Sequence, residues 1–379
     1  MKVSRVSPNR RLSALMPPMT GRWMGALLAV SAVLASPGGA QEPGRLSPLR
    51  WYRGNTHVHT SNSDGNRAPD DVVRWYREHG YDFLVITDHE YITDPARLNA
   101  LYGRAGKFLV IRGQEVTQQV ADSTHPGGPL QAHVTGIGIP RVVAPLGDHG
   151  IAHGVTLAQT YAHALAEIRA ATGIAVINHP NFRWSVQPAD LMHLPDSTLF
   201  EVWNAQPRIN NLGGSDGSGH ASLSTDALWD SLLTHGVLLF GVASDDAHDF
   251  RREAFEDPET THPGGGWVMV RADTLTPEAI IAALRSGRFY ASTGVTLADY
   301  SVKPREIRVV IRRPPRPRDD RRFVTRFIGR GGRVLAEVPG MEARYEIKGD
   351  EGYVRATVTD SNGRRAWMQP EWVGDHGQH

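Results

Sequence analysis

The chain of 379 residues carries 41 basic and 40 acidic side chains, a near-neutral balance that offers no basic field for nucleic acid. It holds no cysteine, which excludes disulfides, thiolate metal sites, a cysteine nucleophile and a lipid-modified cysteine anchor. Hydrophobic content of 40% and charged content of 21% suit a folded globular chain with room for one large domain and one small one.

The first forty residues carry Lys2, Arg5, Arg10, Arg11 and Arg22 without an acid. An apolar stretch over 24–35 follows, then small residues ending Gly38-Gly39-Ala40. This is the order of charged region, apolar region and cleavage site in a secretory signal peptide. The apolar stretch falls short of the about 20 residues needed to cross a bilayer. Cleavage after Ala40 and export to the periplasm or beyond are expected, with no stable membrane insertion afterwards. An uncleaved amphipathic anchor is the alternative.

Short apolar runs then alternate with helix-like segments. Strands are predicted over 54–60, 83–87, 108–113, 132–139, 174–178, 199–204 and 237–244. The helix predicted over 68–79 opens at a proline and stops at Gly80. Those over 156–172, 225–235 and 276–286 begin at a capping threonine and are each followed by glycine. Strand–helix alternation predicts a mostly parallel sheet, and seven such units favour a closed α/β barrel over 41–299. From residue 300 onward, six strand candidates separated by Gly, Pro and Asp turns predict a small antiparallel β domain, a sandwich, over 300–379. The run Arg312-Arg313-Pro314-Pro315-Arg316-Pro317-Arg318 reads as a solvated loop, with an anion-binding patch as the alternative.

Seventeen histidines make any single one uninformative; their placement is what counts. Functional groups of barrels sit at the C-terminal ends of the strands. The first predicted strand ends His57-Val58-His59, whose alternation turns both imidazoles to one side, and Asp64-Gly65 follows. The second ends Thr87-Asp88-His89 and the third Gly113-Gln114-Glu115. The fourth begins with His133, the fifth ends Asn178-His179-Pro180, and the seventh ends Asp245-Asp246-Ala247-His248. Buried together without cations, six imidazoles and three carboxylates would cost several kcal/mol each in desolvation and repulsion. With no thiolate available, imidazole and carboxylate donors suit zinc, manganese or iron.

Over Thr56 to about Gly294, these motifs resemble the polymerase and histidinol phosphatase (PHP) superfamily of metallo-phosphoesterases. Within it, Gly287-Arg288-Phe289-Tyr290-Ala291-Ser292-Thr293-Gly294 and the β-rich tail look like an exported branch that includes carbaryl hydrolases. The resemblance implies a distorted (β/α)7 barrel with two or three divalent ions. His57, His59, Glu115 and Asp246 would hold the first. Glu115 would bridge to a second with His133 and His179, and Asp64, His89 and His248 would hold a third. Asp246, rather than Asp245, keeps the spacing to His248. Hydrolysis by a hydroxide bridging two ions is then expected, with Glu115, Asp246 and His248 closest to the chemistry. Asp88 is expected behind the ligands, accepting a hydrogen bond from one of their imidazoles, with a turn residue at the strand end as the alternative.

Substrate contacts are expected from Arg183, Asn204 and Arg288, with Trp184, Glu201, Trp203 and Tyr290 nearby. His125 with Gly127-Gly128, and the 213–219 stretch, read as mobile loops at the mouth. The expected substrate is a small ester: a phosphoester by default, or a carboxylic or carbamic aryl ester cleaved on the same site. A non-catalytic periplasmic metal- or ligand-binding module is the reading of another class. An amidohydrolase barrel also starts with H-x-H, but its bridging lysine has no counterpart here, since Lys107 precedes the third strand.

Overall fold

The computed structural model describes residues 49–374 except 104–105, 123–124, 126–127, 148–149, 196–197, 216–220, 252–256, 258 and 314–319. The signal segment, Gly127 and most of the basic proline-rich run lie outside the described residues.

Seven strands form the first part of the sheet. They are β1 (Arg50–Asn55), β2 (Phe83–Ile86), β3 (Leu109–Val116), β4 (Val134–Ile137), β5 (Ile174–Ile177), β6 (Thr198–Asn204) and β7 (Leu239–Ser244). They lie side by side in the order β7-β6-β5-β4-β3-β2-β1. In β2, Phe83 and Val85 enter one core and Leu84 and Ile86 another, as alternation on a strand covered on both faces requires.

The sheet is mostly parallel, as expected, and one strand departs from that order. β4 runs antiparallel to both β3 and β5, while the β1–β2, β2–β3, β5–β6 and β6–β7 pairs are parallel. A parallel neighbour needs a crossover of a dozen or more residues, usually helical, and the described residues between β3 and β4 include no helix. There Gln119–Val120 pairs with Leu130–Gln131, and on its other side with Ile151–Ala152, which comes after β4. Reversal brings the start of β4 to the rim where the other strands end.

The two ends of this seven-strand path meet at that rim. Just beyond β1 and β7, Val58 bridges Ala247; the Asp246 amide donates to His57 O (3.0 Å) and the His59 amide to Ala247 O (3.1 Å). β1 begins four residues before the sequence expectation because its other edge pairs with β8 (Trp267–Ala272), a strand that was not anticipated.

Among the described residues five α-helices cover the strands: α1 (Pro69–Glu78), α2 (Pro95–Leu101), α3 (Leu157–Ala170), α4 (Thr225–Thr234) and α5 (Pro277–Arg285). Thr156 and Gln159 close a capping box on α3, and Ser224, one residue before the expected start, caps α4 through the Ala227 amide. α2, capped by Asp94, has only seven residues and was not anticipated.

The β-rich tail is continuous with the sheet. β8 pairs with β9 (Phe289–Ser292), and the path continues through β16 (Arg365–Met368) and β15 (Tyr353–Asp360) to β12 (Phe323–Gly329) and β13 (Arg333–Pro339). A second sheet of β10 (Leu297–Lys303), β11 (Glu306–Ile311) and β14 (Glu342–Glu346) shares a core with it, Ile307, Val309 and Tyr345 packing with Phe327, Val354 and Val358. The described residues 49–374 fall in one compact unit, and the large sheet passes from β8 and β9, before residue 300, to β16, after it.

Candidate metal centre

All nine candidate ligands meet at the rim, in three groups whose donor atoms lie within 4.8 Å of one another. The groups are His57, His59, Glu115 and Asp246; Glu115, His133 and His179; and Asp64, His89 and His248 joined by His59. His57 and His59 sit on the extension of β1, Glu115 in β3, His133 just before β4, His179 two residues beyond β5 and Asp246 two beyond β7.

Glu115 divides its oxygens between two groups. Oε2 lies 3.2 Å from His57 Nε2 and 3.3 Å from His59 Nε2; Oε1 lies 3.2 Å from His133 Nδ1 and 3.1 Å from His179 Nε2. Asp246 Oδ1 stands 3.2 Å from Nε2 of both His57 and His59. Its Oδ2 accepts from the amides of Asn204 (3.2 Å) and Gln206 (3.3 Å), so only Oδ1 faces the group. Asp245 turns away, accepting the Gly265 and Gly266 amides and the Tyr76 hydroxyl. In the third group, Asp64 Oδ2 lies 3.3 Å from His248 Nε2 and 3.5 Å from His89 Nε2. A Cβ on Gly65 would come within 2.7 Å of the His59 carbonyl, so the Asp64 loop folds against the rim only with glycine there.

Outer hydrogen bonds decide which ring nitrogen points inward. His57 Nδ1 donates to Glu201 Oε1 (2.8 Å), His248 Nδ1 to Asp246 O (2.8 Å) and His133 Nε2 to Gln131 Oε1 (3.2 Å). Such partners orient a ligand imidazole and raise its basicity.

Of the two roles open to Asp88, partner of a ligand imidazole or turn residue at the strand end, the hydrogen bonds show the second. The Asp88 carboxylate accepts from the Thr60 amide (2.7 Å) and from the Thr60, Ser63 and Thr93 hydroxyls, which shapes the loop carrying Asp64. Glu201 takes the first role, and it also accepts from the His179 amide (2.6 Å), Asn204 Nδ2 (2.9 Å) and Ser244 Oγ. Its signal in the sequence was an acid in the middle of an apolar strand, Leu199-Phe200-Glu201-Val202, where a charge is retained only with partners.

The carboxylates and imidazoles bias each other. Burial alone would lower the His57 pKa, but Asp246, Glu115 and Glu201 outweigh it and hold it well above the usual imidazole value. Against the same penalty, Glu115 and Asp64 raise His89 to about 9, and His179 and His248 are raised as well. At His133 burial wins and the pKa falls. Burial would raise Glu115, Asp246 and Asp64, yet the surrounding imidazoles keep all three below the usual carboxylate range.

A cavity of about 240 Å3 opens on the cluster, bordered by Thr117, Gln119, Phe182, Arg183, Gln206 and Ile209 beside the ligands. Of the expected substrate contacts, only Arg183 lines it. Asn204 is fully buried with its amide committed to Glu201 and Asp246. Arg288 lies at the opposite rim: it follows the end of α5, whose Arg285 reaches the Thr172 and Gly173 carbonyls just before β5 begins. The Tyr290 hydroxyl accepts the Leu297 amide, and Trp203 packs on Trp367, both away from the cavity. His125 and Trp184 border a separate cavity of about 650 Å3, and neither expected mouth loop lines the metal cavity with its described residues. A cavity of about 1080 Å3 between α4 and the β12–β15 face contains none of the nine ligands.

A scan against protein-family models and a search of curated proteins gave no match. Among solved structures, the chain is similar to a two-domain protein from Bacteroides vulgatus ATCC 8482, described as containing a predicted PHP-like metal-dependent phosphoesterase. The identity is 16% over 87% of this chain and 100% of that one, with a TM-score of 0.44. An amidohydrolase from Chromobacterium violaceum with bound sulfate is similar at 16% identity over 62% of this chain and 96% of that one, with a TM-score of 0.35.

Proposed function

We propose that the protein is an exported, metal-dependent hydrolase of the PHP type that cleaves phosphoesters, using two or three zinc, manganese or iron ions held by the nine rim residues. The observation that carries this reading is the cage of His57, His59, Glu115 and Asp246. Five of its six edges measure 3.2–3.3 Å. Four ligands about 2.0–2.1 Å from a tetrahedral ion stand about 3.3 Å apart. His57 Nε2 and His59 Nε2 face each other at 3.2 Å, and His57 has its other nitrogen committed to Glu201. Two lone pairs at that distance repel unless a proton or a cation lies between them. The donors, nitrogen and oxygen without sulfur, suit the ions named.

His57, His59, Glu115 and Asp246 would hold one ion, Glu115, His133 and His179 a second, and Asp64, His89 and His248 a third. Such ions supply Lewis-acid polarisation of an ester oxygen and a water acidic enough to ionise near neutral pH. The remaining work falls to the chain. Glu115 sets the spacing between two groups through its two oxygens. His89 and His248, each 23% exposed, form the outer edge of the cluster with Asp64, so the group they make is the one nearest the solvent. Gln119 and Arg183 bring hydrogen-bond donors to a cavity sized for a small tetrahedral head group. Export rests on the first forty residues of the sequence.

Purified protein loaded with manganese or zinc is to be assayed on a phosphomonoester, a phosphodiester and an aryl carboxylic ester. Phosphoester cleavage that is lost with a chelator and in His57→Ala is expected. Cleavage of the carboxylic ester alone moves the reading to carbonyl esters, and chelator-insensitive turnover overturns it.

A further inference from the structure

We infer that the substrate carries a second anionic group, apart from the ester that reacts, and that Arg183 and Arg208 bind it. This rests on the phosphoester reading and narrows it to a substrate class.

Beside the metal cavity lies another of about 260 Å3, walled by Asn181, Phe182, Arg183, Trp184, Arg208 and Asn210. Phe182 and Arg183 line both, so one molecule can occupy the two together. Both arginines are exposed, and neither guanidinium has a hydrogen bond or ion pair among the described residues. Arg183 has only the Phe182 ring, 5.5 Å away. Two unpaired cations bordering one small cavity repel each other, and an oxyanion between them turns that repulsion into charge-assisted hydrogen bonds.

A second observation comes from Asn181. Its Nδ2 donates to Asn210 O (2.7 Å) and Leu223 O (2.9 Å), which fixes the amide orientation. Its Oδ1 is buried without a partner among the described residues. A buried acceptor left unpaired is costly, and Asn181 carries that cost in the wall of this cavity.

The backbone adds a third. Arg183 (φ 51°) and Trp184 (φ 58°) are consecutive left-handed residues, close after His179 (φ 23°). Bulky side chains rarely adopt this conformation, and strain of this kind concentrates at ligand clamps. Here it turns the chain sharply so that Arg183 borders both cavities and Trp184 offers a flat wall to the outer one.

Metal-loaded protein is to be compared on phenyl phosphate, 4-carboxyphenyl phosphate and benzene-1,4-diyl bisphosphate. In parallel, calorimetry measures the binding of phenylphosphonate and benzene-1,4-diphosphonate. One charge-assisted pair corresponds to about a tenfold change or more. The substrates with a second anion are therefore expected to have a KM lower by about that factor, beyond the statistical advantage of two equivalent ends. The diphosphonate is expected to bind correspondingly tighter. Arg208→Ala reduces both preferences, Arg208→Lys reduces them less, and Arg183→Ala/Arg208→Ala abolishes them. A preference confined to the carboxylate or to the phosphate identifies the anion. Equal treatment of all three substrates by the unaltered protein, or a preference that survives in the double variant, overturns the inference. If no ester is cleaved, the phosphoester reading fails, while the phosphonate binding still reports on the two arginines.

Discussion

His57 Nδ1 donates to Glu201 Oε1 at 2.8 Å, with both side chains about 1% exposed. A buried carboxylate thus stands directly behind the first imidazole of the cluster, leaving only Nε2 to face Glu115, His59 and Asp246. Glu201→Gln keeps the shape and removes the charge. It is expected to weaken metal binding about 10–100-fold while the far-ultraviolet circular dichroism stays unchanged, as a metal titration would show.

Glu115 is the one carboxylate shared by two groups, so its loss acts on both. In Glu115→Gln, metal content falls by at least one ion per chain and turnover falls by more than the about 100-fold limit expected of an outer partner. Elemental analysis beside the phosphoester assay checks this. Asp88→Asn, which loosens only the loop bearing Asp64, should weaken metal binding at Asp64, His89 and His248 before binding at the other two groups.

Metal uptake should depend on pH with a definite sign. His57 and His89 bind protons more tightly than free imidazole, His89 with a pKa of about 9, because carboxylates surround them. A ligand imidazole must be neutral, so an incoming cation displaces these protons. Affinity therefore rises with pH through the neutral range toward about 9 and falls as the pH drops. Calorimetry in buffers of different ionisation enthalpy should record net proton release at pH 7.

Away from the metals, Arg355 is 1% exposed and clasps Asp230 through Nε (2.7 Å) and Nη2 (2.6 Å), tying β15 to α4. Removing one partner of a buried pair costs about 3–5 kcal/mol, because the other charge is left uncompensated. Arg355→Leu should lose roughly that much by denaturant unfolding, and Arg355→Leu/Asp230→Leu should regain part of it. Metal content should not change in either.

The ligand cluster was legible because its residues are the few polar groups that end apolar strands. His57-x-His59, His179 and Asp246-x-His248 stand where a parallel strand must open onto a loop. Strand direction was not legible, since hydrophobic alternation is the same read either way. The missing helix between Glu115 and His133 was the available sign that β4 turns back. The roles of Asp88 and Glu201 could not be told apart, because an acid at a strand end and an acid inside a strand look alike until partners are seen. Thr60, Ser63 and Thr93 claim the first, His57 and His179 the second. Arg288 misled for another reason: it follows a helix, and helices in this architecture end at the rim opposite the site. The extra strands Trp267–Ala272 and Phe289–Ser292 lie where polar and apolar residues alternate only briefly, and their pairing partners are remote in sequence.

The most direct test is anomalous X-ray diffraction, collected at the zinc, manganese and iron edges, from crystals of protein purified without chelator. An anomalous peak enclosed by His57, His59, Glu115 and Asp246 is expected, with a second between Glu115, His133 and His179. Density without any peak there after soaking in each metal, and with the nine side chains in the same positions, would contradict the account.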